Sequence, residues 1–480
     1  MTNLGWLYLL PKFLIDYFFS PQKISELIMT KFNTNLMKSA SAVALLLACN
    51  ATQAFAADDL QPVRETQHDW NGLYFGAHVG VAGGVNDGAE EFTSSSHVDL
   101  GATSDDFLLG GGQIGWNFQN GDTLFGIEGD ISVLSWDGEG FEAEAPTNSS
   151  SSILFDGSYL ATIRGRMGIV DDDVLLYATG GVAFLSGDLD DVGDNDSSSI
   201  DAVGAVVGAG LEWAYADNAT VKIEGIYARF DERDGLNGFT GNDPQDFFEL
   251  EDIVVLRMGA NWKYDAVSNG VNRYPDEPER DWTGIYFGGL VGAGTLQPEG
   301  FYDGNGSTSL INMGGLSDSG LVAGGLIGWN FYQNGHTVLG IEGDISFADW
   351  ENTSNSGDLT DGSLSLDTNY FATIRGRAGY ADGDLLIYAT AGAAFLSGDL
   401  NFNGVTGVAP SDRGFTSTGI VVGAGMEWAA TDNFTVKAEG LYASFNDSYS
   451  LAGLNDAQAG DDFNPDNVVV TRISLNWYLN

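Results

Sequence analysis

Cysteine is almost missing from this chain: Cys49 is the only one in 480 residues. A disulfide framework and a Cys-based metal site are both excluded. Histidine is nearly as scarce, with four copies, which leaves little material for imidazole metal chemistry. Bases are few as well, since 19 Lys and Arg stand against 67 Asp and Glu, a net charge of -48. Nucleic-acid binding needs a basic face to neutralise phosphates, so that class is excluded. Past residue 56 no run of 18 apolar residues occurs, which rules out spanning helices. In their place the chain has 66 Gly and 12% aromatics, a mixture foreign to helical bundles and to disordered acidic tails.

The first residues read as an address. From Met37, one Lys precedes an apolar run from Ala40 to Ala48, and Ala54-Phe55-Ala56 supplies small residues at the two peptidase positions. A secretory signal peptide cleaved after Ala56 is expected, with Met37 or Met29 as the true start. Residues 1–56 are thus an extension plus signal peptide, and 57–68 a short periplasmic lead-in. The leader takes Lys12, Lys23, Lys31 and Lys38 with it, leaving 15 bases and 65 acids beyond Ala56.

From residue 69 onward the chain is one sequence written twice. Asp69-Trp70-Asn71-Gly72-Leu73-Tyr74-Phe75-Gly76 returns as Asp281-Trp282-Thr283-Gly284-Ile285-Tyr286-Phe287-Gly288. The blocks GIEGDIS (126–132), ATIRGR (161–166), LSGDL (185–189) and VVGAG (206–210) return at 340–346, 372–377, 396–400 and 421–425. The offset changes only between blocks, as it does when rigid segments are joined by variable loops. The copies span 69–264 and 282–480, with a linker at 265–281.

Each copy reads as eight strands, because apolar residues alternate with small or polar ones. In copy one they fall near 70–83, 107–118, 123–136, 157–170, 173–189, 200–216, 219–230 and 252–264. Tight turns at Gln119–Asp122, Asp171–Asp172 and Asp217–Asn218 alternate with longer polar loops at 84–106, 137–156, 190–199 and 231–251. Even strand number, with short turns at one end and long loops at the other, predicts an all-β, antiparallel up-and-down transmembrane barrel.

The last strand of each copy sorts its faces. Val469, Thr471, Ile473, Leu475, Trp477 and Leu479 lie opposite Arg472, Ser474 and Asn476. Likewise Leu256, Met258, Ala260, Trp262 and Tyr264 oppose Arg257, Asn261 and Lys263. The apolar set is expected to face lipid, where a charge would cost about 2–4 kcal/mol at mid-depth. The same alternation gathers a small charge set inside: Glu128, Asp130, Arg164, Arg166, Glu212, Lys222, Glu224 and Arg257 in copy one. Its counterparts are Glu342, Asp344, Arg375, Arg377, Glu427, Lys437, Glu439 and Arg472. Four acids meet four bases in each, so each interior is neutral inside a very acidic protein. Such a set either lines a pore or fills a narrow barrel as a paired network; equal numbers favour pairing. No catalytic, cofactor or metal ligand set is expected. Of His68, His78, His97 and His336 only His78 falls on an inward register, opposite Leu290 in the other copy, and the acidic loop at 190–196 lacks calcium-loop spacing.

These blocks resemble the eight-stranded outer-membrane proteins of alphaproteobacteria, the "porin family" similar to opacity-type surface antigens. The W-x-G-x-Y-x-G opening, GIEGDIS, TIRGR-x-G, LLYATGG-x-AF, VGAG-x-EW and V-K-x-E-G-x-Y carry the resemblance over nearly all of both copies. It implies a barrel in the cell outer membrane with both termini periplasmic, inserted by the barrel-assembly machinery with periplasmic chaperones, among lipid and lipopolysaccharide. It implies roles in envelope integrity, host contact or haemin binding, and assigns no ligand residues. Two departures stand out: the chain ends Trp477-Tyr478-Leu479-Asn480 rather than on an aromatic, and the copy is doubled. Two eight-stranded barrels would be plugged, whereas one sixteen-stranded barrel would hold a channel. The linker, with two Pro and many charges, favours two. A structural, surface-exposed envelope protein without enzymatic activity is therefore expected. The alternatives are a cation-preferring diffusion porin and a loop-based receptor for haemin or a host surface.

Overall fold

A computed structural model describes residues 68–479 apart from 94–95, 100–104, 139–141, 145–149, 192–195, 217, 236–246, 265–279, 304–309, 313–316, 356–362, 404–410 and 452–461. The expected signal peptide and nearly all of the linker lie outside the described residues. Within them the first copy forms β1 (Gly72–Thr93), β2 (Ser96–Asp99), β3 (Asp105–Asn120), β4 (Thr123–Gly138) and β5 (Glu142–Glu144). It continues with β6 (Ser150–Asp171), β7 (Val174–Asp191), β8 (Asp196–Ala216), β9 (Ala219–Gly235) and β10 (Phe247–Lys263). The second copy forms β11 (Gly284–Asp303), β12 (Leu310–Asn312), β13 (Asp318–Asn334), β14 (Thr337–Ala348), β15 (Glu351–Asn355) and β16 (Ser363–Asp382). After these come β17 (Leu385–Asn403), β18 (Ser411–Ala429), β19 (Phe434–Phe445), β20 (Tyr449–Ser450) and β21 (Asp462–Tyr478).

Both copies close on themselves. Strands β1, β3, β4, β6, β7, β8, β9 and β10 pair in order, and β10 returns to β1 with Tyr74 opposite Lys263. In the second copy β11, β13, β14, β16, β17, β18, β19 and β21 do the same, and β21 returns to β11 with Tyr286 opposite Tyr478. Two eight-stranded barrels are therefore present, and the single sixteen-stranded alternative is excluded. Closure removes every long edge, so no row of unpaired backbone groups faces the hydrocarbon.

Tight turns need left-handed backbone, and the residues there supply it: Gly121 and Gly335 have φ of 61° and 55°. The second turn of copy one sits one residue later than expected, because Asp171 still pairs with Val174, and Asp172 takes the left-handed position at φ 47°. At the opposite end the strands outrun their expected limits. β1 continues to Thr93 and β7 to Asp191, inside segments read as loops. Backbone pairing continues past the hydrocarbon, where the faces exchange character: on β16 Leu364 and Leu366 are buried inward while Asp367 is exposed outward, and Phe155 and Asp156 divide the same way on β6.

Midway along the open strands, side-chain alternation is inverted relative to a water-soluble fold. On β4, Ile127, Ile131 and Val133 point outward and are exposed, while Glu128, Asp130 and Ser132 point inward and are buried. Each interior has three layers. At the loop end Trp136 stacks on Phe107 at 4.6 Å and meets Phe155 edge-on at 4.9 Å. Trp350 takes that place in the second barrel, its indole N–H donating to Gly294 O at 3.0 Å. At the turn end Trp70 and Tyr177 close one barrel, and Trp282, Tyr286 and Tyr478 the other. The charges lie between.

Candidate functional site in the barrel interior

Each charged side chain is delivered by a short motif on one strand. GIEGDIS puts Glu128 and Asp130 two apart on β4, hence on the same face; TIRGR does this for Arg164 and Arg166 on β6, and VKIEG for Lys222 and Glu224 on β9. Register then sets opposite charges directly across from each other: Glu128 faces Arg164, Glu212 faces Lys222, and Glu224 faces Arg257. Direct cross-strand pairs of this kind stabilise a sheet, where like charges would oppose it.

The structure brings all eight residues of copy one into one buried network. Arg164 reaches Glu128 at 2.6 Å, Asp130 at 2.9 Å and Glu224 at 2.9 Å. Arg257 reaches Asp130 at 2.9 Å and Glu224 at 2.8 Å. Lys222 contacts Glu128 at 2.8 Å, and Arg166 contacts Glu212 at 2.9 Å. The second barrel repeats it: Arg375 with Glu342 (2.6 Å), Asp344 (2.9 Å) and Glu439 (2.8 Å), and Arg472 with Asp344 (2.9 Å) and Glu439 (2.7 Å). Lys437 meets Glu342 at 2.7 Å, and Arg377 meets Glu427 at 2.8 Å. Charges this deep persist only when partnered on several sides, and these are.

Sequence reasoning missed the tyrosines that complete the network. Tyr74 OH donates to Glu128 at 2.8 Å and Tyr177 OH to Glu224 at 3.0 Å; Tyr286 and Tyr388 do the same to Glu342 and Glu439. Their signal was available, since each sits on an inward register in a repeated block. Ring faces also serve the cations. Arg166 lies 4.7 Å and 5.4 Å from the Tyr74 and Tyr177 centroids, and Arg377 lies 5.1 Å and 4.8 Å from those of Tyr286 and Tyr388. Guanidinium nitrogens there that find no oxygen, Arg166 Nη2 and Arg377 Nε and Nη2, belong to groups held over π faces. Space for Tyr74 and Tyr286 comes from Gly115 and Gly328 of the repeated IGWNF, where a Cβ would overlap the ring.

The copies differ in one polar pocket of the wall. In barrel one His78 contacts Ser132 Oγ through Nε2 at 2.7 Å and Gln113 through Nδ1. Gln113 donates onward to Asn261 at 2.8 Å, and Asn261 to Glu212 at 2.7 Å. A Ser–His contact has the form of an activated nucleophile, yet Ser132 is 1% exposed within the packed interior. Barrel two fills the equivalent space with Leu290 and Leu326. The His–Gln pair is thus an alternative filling of the same volume. Among the described residues no group of three or more His, Cys, Asp and Glu side chains is arranged to hold a metal ion.

A closed antiparallel ring of eight strands, apolar outside and ion-paired inside, is a transmembrane β-barrel. The family model for the outer membrane protein beta-barrel domain matches residues 41–247 and again 275–471, and the chain belongs to that family. It is an outer-membrane β-barrel protein carrying the domain twice. Similar proteins include the 25 kDa outer-membrane immunogenic protein of Brucella canis, 32% identical over 37% of this chain and 72% of that protein. The protein of the same name from Brucella abortus biovar 1 (strain 9-941) is 27% identical over 46% of this chain and 95% of its own length, so one relative corresponds to about one copy. A 22 kDa outer membrane protein of Rhizobium leguminosarum bv. viciae is 30% identical over 36% of this chain and 68% of that protein.

Proposed function

We propose that this protein is a structural, surface-exposed envelope component that conducts no ions. Its loops face the exterior and both termini face the periplasm. The observation that carries this reading is the pair of filled lumens. Eight charged groups in each barrel neutralise one another between two aromatic layers, so an ion entering would have to break buried pairs worth several kcal/mol. The acid excess lies mainly outside these networks and is a hydrated surface that divalent ions can bridge to lipopolysaccharide. Names of relatives as outer-membrane immunogenic proteins support exposure of the loops. Barrel-assembly machinery and periplasmic chaperones are the partners of its biogenesis, and no enzymatic step is assigned to it.

Planar-bilayer recording tests the reading. The purified protein is expected to insert without steady current, whereas sustained conductance on the order of a nanosiemens, as wide aqueous barrels give, would sink it in favour of a cation-preferring porin. Haemin or host-surface binding, if present, belongs to the loops: their deletion would abolish it and leave heat-modifiable migration intact.

A further inference from the structure

Not all of the outward apolar face meets lipid. Around β3, β4 and β6, and on β1 up to Val79, outward side chains are open, with Val79 67% and Ile131 55% exposed, and Ile327 of barrel two is 61% exposed. On the turn-end halves of β7, β8 and β9 they are covered, and what covers them is the other barrel. Val174, Leu211 and Ile223 share one buried cluster with Leu385, Met426 and Ala438. Those two trios occupy the same positions in the two copies: Val174 and Leu385 open β7 and β17, Leu211 and Met426 precede the Glu-Trp pair, and Ile223 and Ala438 come directly after the Val-Lys of β9 and β19. One face is therefore packed against itself.

Closer contacts carry the same symmetry. Gly225 has Thr471 of β21 against it, so that an added Cβ would overlap the Thr hydroxyl. Gly440 has Leu256 of β10 against it in the same way. Gly225 and Gly440 are the same residue of VKxEG, and Leu256 and Thr471 each precede the network arginine, so the two contacts exchange when the copies are exchanged. Gly83 of β1 meets Thr295 at its own equivalent position on β11. At the loop end Ser319 Oγ donates to Asp252 at 2.6 Å across the seam.

We infer that the two barrels form a fused two-fold dimer, held together in the membrane by this self-complementary seam rather than by the linker. Turn-end residues of one barrel meet turn-end residues of the other, and loop-end residues meet loop-end residues, so the axis runs along the barrels and both stand the same way up. Eight strands per copy satisfy this, because an even number returns the chain to the end at which it began. In lipid, apolar faces gain nothing from leaving water, and association rests on close packing at small residues. Side chains seated on Gly225, Gly440 and Gly83 supply that packing, and the exchange symmetry makes the interface isologous and closed. The inference is independent of whether the lumens conduct.

Cutting the linker tests it. A protease site is placed within 265–279 of the full-length protein and a tag at the C-terminus. After cleavage in the membrane and solubilisation in mild detergent, the tagged barrel is expected to retain its untagged neighbour in roughly equal amount. Separation of the halves would overturn the inference. Gly225→Val with Gly440→Val acts on the outward face and leaves the ion pairs alone; it is expected to cut retention at least about tenfold, equivalent to 1.4 kcal/mol, while each half keeps heat-modifiable migration. Undiminished retention in folded variant halves would overturn the assignment of the seam. Should the variant lose heat-modifiable migration, the unsubstituted cleaved protein still decides.

Discussion

At the scale of single residues, the interior is a set of charges that cannot be removed one at a time. Arg164 serves three carboxylates, so Arg164→Met leaves Glu128, Asp130 and Glu224 short of a partner. Breaking a buried pair from one side costs about 3–5 kcal/mol, and barrel one is expected to lose heat-modifiable migration at a markedly lower temperature than the parent. The His78 pocket predicts a different response. His78→Leu alone strands Ser132 and Gln113, a cost of about 1–3 kcal/mol for each buried group left unmade. His78→Leu with Gln113→Leu reproduces what barrel two already has, Leu290 and Leu326. It removes the stranded Gln113 amide but leaves Ser132 unmade and takes the donor from Asn261. It is therefore expected to melt no lower than His78→Leu alone and to recover only the part of the loss due to Gln113 and to packing. Barrel two even shows the consequence for the next residue, since Asn476 Oδ1, the counterpart of the Asn261 acceptor, stands without a partner there. Thermal melts in detergent of the two single variants and the double variant give the cycle; a double variant weaker than His78→Leu alone would refute it. The charged set could be read from the sequence because alternation alone assigns each residue a face. Which acid meets which base could not, because that depends on the stagger between strands and on reach across the lumen, as in Arg257 with Asp130.

At the scale of elements, strand centres were legible and strand ends were not. Within the hydrocarbon the outward face must be apolar and the pattern is forced. Beyond it the outward face is polar and the inward one apolar, as Leu364 and Leu366 alternate with Ser365 and Asp367 on β16. A reading that keeps one face apolar throughout therefore stops short of the strand ends. The long ends matter where they approach each other. Asp318 opens β13 at the loop end, outside the membrane-spanning part of the strand. It accepts backbone N–H from Ser319 at 2.8 Å and Glu351 at 2.7 Å. Burial pushes its carboxyl up to about 7, against those two hydrogen bonds and with help from the nearby charges of Asp252 and Asp349. An acid whose folded value lies above its unfolded one binds extra protons when folded, so its contribution is fully present below about pH 4 and lost as pH rises through 7. The parent protein is expected to gain on the order of 1–2 kcal/mol between pH 8 and pH 5 from this group, after discounting for water at the rim. Asp318→Asn removes the charge but leaves one oxygen where the Ser319 and Glu351 N–H groups used two, so the outcome expected is the flattening of that part of the profile, whatever the melting temperature at pH 8. An unchanged slope would remove Asp318 as its source.

At the scale of the whole molecule, the choice between one wide ring and two narrow ones turned on where the last strand of each copy closes. Composition could not decide it, since both arrangements bury the same residues on the same faces. Two features of the sequence did lean the right way: neutrality within each copy, and a connection of 17 residues at 265–281 where a hairpin would need about two to five. Closure of β10 on β1 and β21 on β11 makes each ring complete without the other. Each network is likewise self-contained, because among the described residues none of the ion pairs around Arg164 reaches a residue beyond 264 and none around Arg375 reaches one before 282. Damage should therefore stay local. Arg375→Met is expected to unfold barrel two at a temperature where barrel one still holds, giving a discrete intermediate band on semi-native electrophoresis between the folded and fully unfolded positions. Arg164→Met should give an intermediate of its own, in which barrel two holds. In a single cooperative ring either substitution would remove the folded band in one step, with no intermediate at any temperature. The seam adds a graded effect: a folded neighbour stabilises the weakened barrel through the close contacts at Gly225, Gly440 and Gly83, the shared apolar cluster around Leu211 and Met426, and the Ser319–Asp252 bond. Adding Gly225→Val and Gly440→Val to Arg375→Met should lower the temperature at which the intermediate appears, while leaving the temperature at which barrel one melts less affected.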